Sequence, residues 1–374
     1  MSNFAFGTYK TTEHNPQHIQ ALKDAIRAGI TMIVTSSNYM DGSSQKAVSK
    51  AFEELDDSYM DTTEIISKYK LTQNFDEQLN LSLERLQREK IDCYMIENPE
   101  ELLFKSIKNG INKDDRLDAM NAKFFDAFLE LELAVKEKKI TSYGVSSDAF
   151  SIKHSSEYFL PYEDLITLAQ DAADEIKNKK HSFTTIELPI NILEQDGLIC
   201  AKWAKENNLR VLANRPLNAQ YNTTSYRLAD YDESHEYYHH LNELLEITDN
   251  EILKPLYNLI EELDEIKHKF GWIGDYDEFL YTQVLPHIKK SLENIDEQNR
   301  ETLLTYIELF LQEYKKMVSY ECARNTRKEL KEIFATCYTS MQECAIKFLM
   351  EKEEIDYIVV GMRKPSYVDE ILAF

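Results

Sequence analysis

Eight short runs of β-branched and aromatic residues, most of them followed by a helical pattern, predict an α/β fold, the closed (β/α)8 barrel. The runs are almost continuously apolar, which is typical of parallel strands that are covered by helices. Eight such units are also the number that closes a barrel of this kind. The alternative is an open, doubly wound sheet, but the glycine-rich turn that usually follows its first strand is absent from this sequence.

The predicted strands and helices alternate regularly along the chain. Predicted helices such as 18–29 and 198–208 carry apolar residues three and four positions apart, which is the spacing of one buried helix face. Several glycines fall at predicted turns and strand ends, where a positive φ angle favours glycine. The predicted strands are residues 4–9, 31–36, 64–69, 92–97, 141–146, 184–189, 210–215 and 356–361. The glycines at these turns are Gly7, Gly29, Gly42, Gly144 and Gly361.

Residues 219–340 depart from this alternation. Their pattern is helical almost throughout and predicts an inserted bundle of four or five helices. The insertion follows the seventh predicted strand, so we expect it to lie at the carboxyl-terminal face of the barrel, where active sites of this fold are found. The predicted domains are therefore a barrel formed by residues 1–218 and 341–374, and a helical insertion formed by residues 219–340.

Composition limits the classes of function. With 43% hydrophobic residues among 374, the chain can bury a large core, and its net charge of −23 disfavours nucleic acid and anionic membrane surfaces as partners. No apolar run approaches the roughly 20 residues of a membrane helix, and the amino terminus lacks a signal-peptide pattern. The five cysteines include no CxxC pair, and all but Cys93 fall on helical patterns. We therefore expect no disulfide framework and a location in the reducing cytoplasm.

Three strand ends carry a resemblance to a known family. The segment AGITMIVTSSNYMDGSS (28–44) resembles the second strand and following loop of aldo-keto reductases. The segments IISKYK (65–70) and IDCYMIENPE (91–100) resemble the strands of that family that end in its catalytic lysine and its catalytic histidine. The resemblance covers residues 4 to about 218 and about 340 to 374, and it implies the same barrel fold.

The resemblance also implies a reaction and the residues that carry it. An enzyme of this family reduces an aldehyde or ketone with NADP or NAD as cofactor, or oxidises an alcohol. Tyr39 is at the position of the proton donor, and Lys68 is at the position of the lysine that lowers the tyrosine pKa. Val34 replaces the aspartate that orients this lysine, and Glu97 replaces the histidine. Because a buried ammonium group needs an acceptor, we expect Lys68 to pair with Glu97.

The cofactor positions of the family are also recognisable. GVSS (144–147) resembles the family sequence GVSN, so the resemblance implies that Ser146 and Ser147 hold the nicotinamide amide, together with Glu187 at the position of a glutamine. Arg363 and Lys364 correspond to the phosphate-binding end, and Arg215 lies in the loop after the seventh strand. The exchanges make this pocket more acidic, which suits either the positive ring of oxidised nicotinamide or a cationic ligand.

Other interpretations remain open at this stage. The exchanges at Val34 and Glu97 can also be read as decay, in which case the barrel has lost redox catalysis and binds a protein partner through the insertion. In HEYYHH (235–240), His235 and His239 have a spacing that can bind a metal, but no glutamate completes the HExxH pattern. We interpret that segment as a solvated helix face without a metal.

Overall fold

The computed structural model describes residues 3–221 and 224–374. The chain divides into two compact units, one formed by Met1–Pro216 with Ile346–Phe374 and the other by Leu217–Ala345. The strands of the described residues are β1 (Asn3–Gly7), β2 (Met32–Val34), β3 (Glu64–Tyr69), β4 (Ile91–Glu97), β5 (Ile140–Ser146), β6 (Phe183–Pro189), β7 (Arg210–Asn214), β8 (Asn218–Tyr221), β9 (Thr224–Arg227) and β10 (Tyr357–Val360).

The first unit is a closed barrel of parallel strands in the order β1-β10-β7-β6-β5-β4-β3-β2. The predicted barrel is confirmed, and the open sheet is excluded because each of these eight strands pairs with two neighbours and the sheet has no edge. The helices of the chain are α1 (Pro16–Arg27), α2 (Ser43–Glu53), α3 (Asp57–Thr62), α4 (Phe75–Leu86), α5 (Glu100–Lys108), α6 (Lys113–Lys136), α7 (Leu165–Glu175), α8 (Gly197–Glu206), α9 (Tyr237–Thr248), α10 (Lys254–Ile266), α11 (Ile273–Phe279), α12 (Leu285–Ser291), α13 (Glu297–Glu329), α14 (Met341–Met350) and α15 (Pro365–Leu372).

Helix α1 illustrates why the predicted helices form where they do. It begins at Pro16, after the side chain of Asn15 has accepted a hydrogen bond from the backbone N–H of Gln17. A proline at the first position loses no helical hydrogen bond, and the asparagine satisfies one of the free N–H groups. The buried residues Ile19, Leu22 and Ile26 are three or four positions apart, so one face of α1 packs on the barrel.

The interior of the barrel changes from apolar to polar towards the carboxyl ends of its strands. Side chains along a strand alternate between its two faces, so residues two positions apart face the same side. The apolar part of the interior is a cluster of Ala5, Met32, Val34, Ile66, Cys93, Met95, Leu212 and Val359. The next residues of the same parity on β3, β4 and β7 are Lys68, Glu97 and Asn214. The period of two therefore places polar side chains directly above the apolar interior.

Gly144 allows β5 and β6 to approach closely just below this polar end. A Cβ atom at this position would lie 2.3 Å from the carbonyl oxygen of Thr185 on β6. No real side chain tolerates that distance, so only glycine fits without moving a strand.

The second unit contains α9 to α13 and a small antiparallel sheet formed by β8 and β9. Its core is apolar with polar anchors, since the hydroxyl of Tyr314 donates to the carbonyl oxygen of Leu263 at 2.7 Å and that of Tyr237 donates to Asp264 at 2.6 Å. The sequence reading of this region as almost entirely helical did not include the β8–β9 sheet. Its sequences NAQY and TSYR lack the apolar alternation that would have marked them as strands.

One disulfide corrects the expectation about the cysteines. Cys337 and Cys344 are bonded, with their Cα atoms 6.1 Å apart, whereas Cys93, Cys200 and Cys322 are free and buried. Cys337 was expected on a helix but lies in the turn region between α13 and α14. That turn returns the chain to within the distance that a disulfide requires. Among the described residues, no helix is both long and apolar enough to cross a bilayer.

Candidate active site

Six polar side chains gather at the carboxyl ends of the barrel strands, and we call them the polar layer: Ser36, Lys68, Glu97, Ser146, Glu187 and Asn214. Glu97 is the register partner of Ser146, and Ser146 is the register partner of Glu187, so β4, β5 and β6 contribute neighbouring positions. The carboxyl ends of barrel strands are where enzymes of this fold carry their catalytic groups. The layer is therefore the candidate active site.

The buried lysine of this layer pairs with a different carboxylate from the one expected. Lys68 Nζ lies 2.5 Å from Glu187 Oε1, and each side chain is only 2% exposed. The predicted pair of Lys68 with Glu97 is wrong, because among residues 3–221 and 224–374 no ion pair joins them. Val34 is buried in the apolar interior and offers no side-chain acceptor. Burial alone would lower the pKa of Lys68, but Glu187 and the neighbouring Glu97 raise it above its ordinary value, so the ammonium stays charged.

Glu97 is held by the loop that follows β2. Its Oε2 accepts hydrogen bonds from Ser36 Oγ at 2.8 Å and from Asn38 Nδ2 at 3.0 Å. Asn38 is itself positioned by Gln73, whose Nε2 donates to Asn38 Oδ1 at 2.8 Å. These neutral donors hold one oxygen of the Glu97 carboxylate.

Tyr39 is placed beside Lys68 as expected. Lys68 Nζ lies 3.4 Å from the Tyr39 hydroxyl oxygen, and the Tyr39 ring packs edge-on against Tyr9 with the ring centroids 5.3 Å apart. Met40 and Asp41, which follow directly, both adopt left-handed backbone angles (φ 50° and 54°). Such angles cost free energy in residues other than glycine and are common at functional sites, so the position of Tyr39 is strongly determined.

The Tyr39 hydroxyl keeps its proton at neutral pH. Desolvation raises the pKa of Tyr39 well above its ordinary value, and the nearby Lys68 offsets this only in part. The carboxylates of Glu97 and Glu187 raise the pKa further. A neutral phenol next to a charged ammonium can donate a proton but is a poor base.

The two serines at the end of β5 have different surroundings. Ser146 Oγ accepts a hydrogen bond from Lys68 Nζ at 3.4 Å, which leaves its own O–H free to donate. Ser147 Oγ donates to Glu100 Oε2 at 2.7 Å and accepts from the backbone N–H of Ala149 at 3.1 Å. The Ser147 hydroxyl therefore already donates and accepts a hydrogen bond, whereas the O–H of Ser146 can still donate one.

Glu100 is a buried carboxyl group that the sequence reading missed. It begins α5, is 4% exposed, and accepts a hydrogen bond from the backbone N–H of Asp148 at 3.0 Å. Burial raises the pKa of Glu100 to about 7, despite the hydrogen bond from Ser147. In the sequence, Glu100 and Glu101 look like the ordinary acidic first turn of a helix. Glu101 is indeed exposed, and no signal in the sequence indicates that Glu100 is buried.

The three basic residues expected to hold a cofactor fall into two groups. Arg215 is engaged by two carboxylates, with Asp148 at 3.4 Å and Glu194 at 2.8 Å. Arg363 and Lys364, between β10 and α15, are exposed and form no ion pair within the described part of the chain. The last two are therefore free to meet an anionic group, and Arg215 is not free in this arrangement.

Two buried acceptors in the polar layer lack donors. Glu187 Oε1 accepts from both Lys68 and Asn214 Nδ2, the latter at 2.8 Å, but Glu187 Oε2 has no partner among the described residues. Asn214 Oδ1 is unpaired in the same way. A buried acceptor without a donor is costly, so this region suits a ligand that supplies N–H groups. Asn214 was also missed, although it shares the parity of Leu212 at the end of β7.

The histidines of the second unit do not meet as the sequence suggested. His235 precedes α9 and is not one turn from His239 on a common helix. Instead, ligand atoms of His239, His240 and Glu243 lie within 4.8 Å of one another on α9. His239 is exposed and the other two are partly exposed, which is also compatible with a solvated helix face.

The chain is similar to proteins of one known family. The model of the aldo/keto reductase family matches residues 3–374. A crystal structure of an aldo/keto reductase from Klebsiella pneumoniae in complex with NADP and acetate is 22% identical, with 57% of this chain and 64% of that chain covered and a TM-score of 0.38. An aldo-keto reductase from Klebsiella pneumoniae in complex with NADPH is 21% identical, with 57% and 63% covered and a TM-score of 0.38. The match spans slightly less than two thirds of either structure. No curated protein matches the sequence.

Proposed function

The chain belongs to the aldo/keto reductase family, and from this premise we propose that it is an NAD(P)H-dependent oxidoreductase that slowly reduces an aldehyde or ketone, or oxidises the corresponding alcohol. The observation that carries the proposal is the contact of the neutral Tyr39 hydroxyl with the charged Lys68 ammonium. This pair supplies a proton donor and a positive charge at the end of the barrel where substrates bind in this fold.

In the proposed mechanism, the Tyr39 hydroxyl donates its proton to the carbonyl oxygen of the substrate. Lys68 then stabilises the phenolate that remains, because its ammonium lies 3.4 Å from the Tyr39 oxygen. Glu187 neutralises much of this ammonium charge, and the negative charge of Glu97 also opposes the loss of the proton. The proposed reduction is therefore slow, because the pKa of the donor lies further above neutrality than general acid catalysis favours.

The residues present fit a nicotinamide cofactor. Ser146 has a free O–H, and Glu187 Oε2 and Asn214 Oδ1 are buried acceptors without donors, which matches the oxygen and the amino group of a carboxamide. Arg363 and Lys364 are the cations that would meet its phosphates. When bound, the reduced nicotinamide supplies the hydride. Ser147 and Arg215, which the sequence also suggested, are engaged by Glu100, Asp148 and Glu194 instead.

Cofactor binding tests this proposal and its alternative, a barrel without redox function. The expected result is a rise in the melting temperature on adding NADPH or NADH, since a ligand that binds only the folded state stabilises it. The variant Arg363→Glu should weaken the effect. Lys331→Glu is the matched control, because it changes the net charge equally at an exposed residue outside the barrel unit. An unchanged melting temperature with either cofactor at millimolar concentration would support the non-catalytic barrel.

A further inference from the structure

We propose that the site selects a carbonyl substrate that carries a positive charge two bonds from the carbonyl carbon, and that Glu97 binds this charge. The inference rests on the proposed reductase function and names its substrate class, an α-ammonium ketone or aldehyde. Glu97 is then a specificity-determining residue that contacts the substrate rather than a partner of the catalytic lysine.

The charges of the polar layer leave one carboxylate uncompensated. Lys68 is the cation of the layer, and its ion pair with Glu187 is buried and short. Within residues 3–221 and 224–374, Glu97 forms no ion pair and receives hydrogen bonds only from the neutral side chains of Ser36 and Asn38. A buried carboxylate is costly unless it is paired, so a cationic ligand would complete the charge balance.

The geometry of Glu97 presents one oxygen to a ligand. Both donors bind Oε2, and no donor of the described residues reaches Oε1. The Glu97 side chain retains 6% exposure. The carboxylate is thus anchored through Oε2, and Oε1 is left without a donor from the described residues, so it is the atom that would accept from a cationic ligand.

The positions of Glu97 and Tyr39 limit where the positive charge of the proposed substrate can lie. Asn38, which directly precedes Tyr39, donates to Glu97 Oε2 at 3.0 Å, and the Tyr39 hydroxyl lies 3.4 Å from Lys68 Nζ, so the loop after β2 brings Glu97 and Tyr39 to the same end of the barrel. Negative charge that develops on the carbonyl oxygen would be repelled by a bare carboxylate nearby. An ammonium group on the carbon next to the carbonyl would offset this repulsion, because it would pair with Glu97 while remaining close to the reacting oxygen. A cation at the end of a long spacer would not do so.

The chemistry of the step balances without another reactant. The carbonyl carbon gains a hydride from the reduced nicotinamide cofactor, and its oxygen gains the proton of the Tyr39 hydroxyl. The product is an amino alcohol and the cofactor becomes oxidised. The ammonium group keeps its protons throughout, since its role is recognition.

Aminoacetone and hydroxyacetone form a matched pair of substrates that tests the inference. They differ only in an ammonium group against a hydroxyl, and the expected kcat/KM is at least tenfold higher for aminoacetone. In Glu97→Gln this ratio should fall at least tenfold, whereas it should be unchanged in Glu101→Gln, which alters an exposed carboxylate on α5. A ratio near one in the parent, or a high ratio that Glu97→Gln leaves unchanged, would overturn the inference while leaving the reductase function intact.

Equilibrium binding separates the inference from the proposed function. Isothermal titration should show that 1-amino-2-propanol, the cationic product, binds more tightly than 1,2-propanediol. Glu97→Gln should weaken the binding of 1-amino-2-propanol at least tenfold. If neither ketone is turned over but this binding is found, the recognition stands and the reductase proposal fails. Absence of both turnover and amine binding would overturn both.

Discussion

Lys68 and Glu187 form a buried ion pair across the barrel, from β3 to β6, with Lys68 Nζ 2.5 Å from Glu187 Oε1 and each side chain 2% exposed. Because Val34 offers no acceptor to a buried ammonium, we expected the lysine partner to be Glu97 on the neighbouring strand β4. Its actual partner lies three strands away in the closed barrel. The charge that acts on Tyr39 is thus the net charge of a Lys68–Glu187 pair and not that of an isolated ammonium.

The contribution of the Lys68–Glu187 ion pair should be measurable as a change in the free energy of unfolding of single variants. Glu187→Gln leaves a buried ammonium without its counterion, so we expect it to lower the free energy of unfolding by about 3–5 kcal/mol at pH 7. Glu97→Gln leaves the Lys68–Glu187 pair intact, and the loss of an unpaired buried charge offsets the weakening of two hydrogen bonds, so the free energy of unfolding should change by no more than about 1 kcal/mol. Urea unfolding of both variants checks this. Equal losses, or a larger loss in Glu97→Gln, would contradict the pairing described here.

The buried Glu100 should make stability depend on pH. Burial raises its pKa from 4.5 to about 7. Between these values the folded protein keeps the proton that the unfolded chain releases, so this group's contribution to stability falls as pH rises from 4.5 to 7 and is constant above that window. The total change is on the order of 3 kcal/mol. Glu100→Gln should therefore gain stability relative to the parent between pH 5 and pH 8.

Thermal or urea unfolding at these two pH values measures the effect. Glu101→Gln is the matched control, because Glu101 lies in the same first turn of α5 but is exposed. It should show no such gain. If both variants shift alike, the effect belongs to the helix terminus and not to the buried carboxyl group.

Much of the barrel could be predicted from the sequence, because the period of its strands is local information. The eight predicted strands match β1 to β7 and β10, with boundaries that differ by at most a few residues. Lys68, Glu97 and Glu187 were assigned to strand ends through the resemblance to aldo-keto reductases. The strands could therefore be predicted from the pattern and the positions of the candidate site residues from the resemblance, whereas their partners could not.

The partners depend on distances across the closed barrel, which no local pattern encodes. Glu97 lies on β4, next to the strand of Lys68, but Ser36 and Asn38 donate hydrogen bonds to the Glu97 carboxylate. The long side chain of Lys68 reaches Glu187 instead. The same limit explains the missed disulfide, since Cys337 and Cys344 meet through the path of a turn that carries no periodic signal.

The disulfide should contribute modestly to stability. Cys337 and Cys344 are separated by 7 positions, and a loop this short is worth about 2 kcal/mol in the chain-entropy view. The double variant Cys337→Ser/Cys344→Ser should lose about that much stability and become insensitive to reductant. Thiol titration of the denatured parent should find three groups without reductant and five with it. Five groups without reductant would show that the bond is absent.

Steady-state NADPH oxidation with 4-nitrobenzaldehyde tests whether Tyr39 is the proton donor of a carbonyl reductase. Tyr39→Phe keeps the ring that packs against Tyr9 and removes only the hydroxyl, so kcat/KM should fall by about 10²–10⁴-fold. Tyr69→Phe is the control, because this buried tyrosine on β3 stacks on Tyr94 and its hydroxyl has no partner among the described residues. We predict that turnover is measurable in the parent, unchanged in Tyr69→Phe and strongly reduced in Tyr39→Phe. Turnover that Tyr39→Phe leaves unchanged would contradict it.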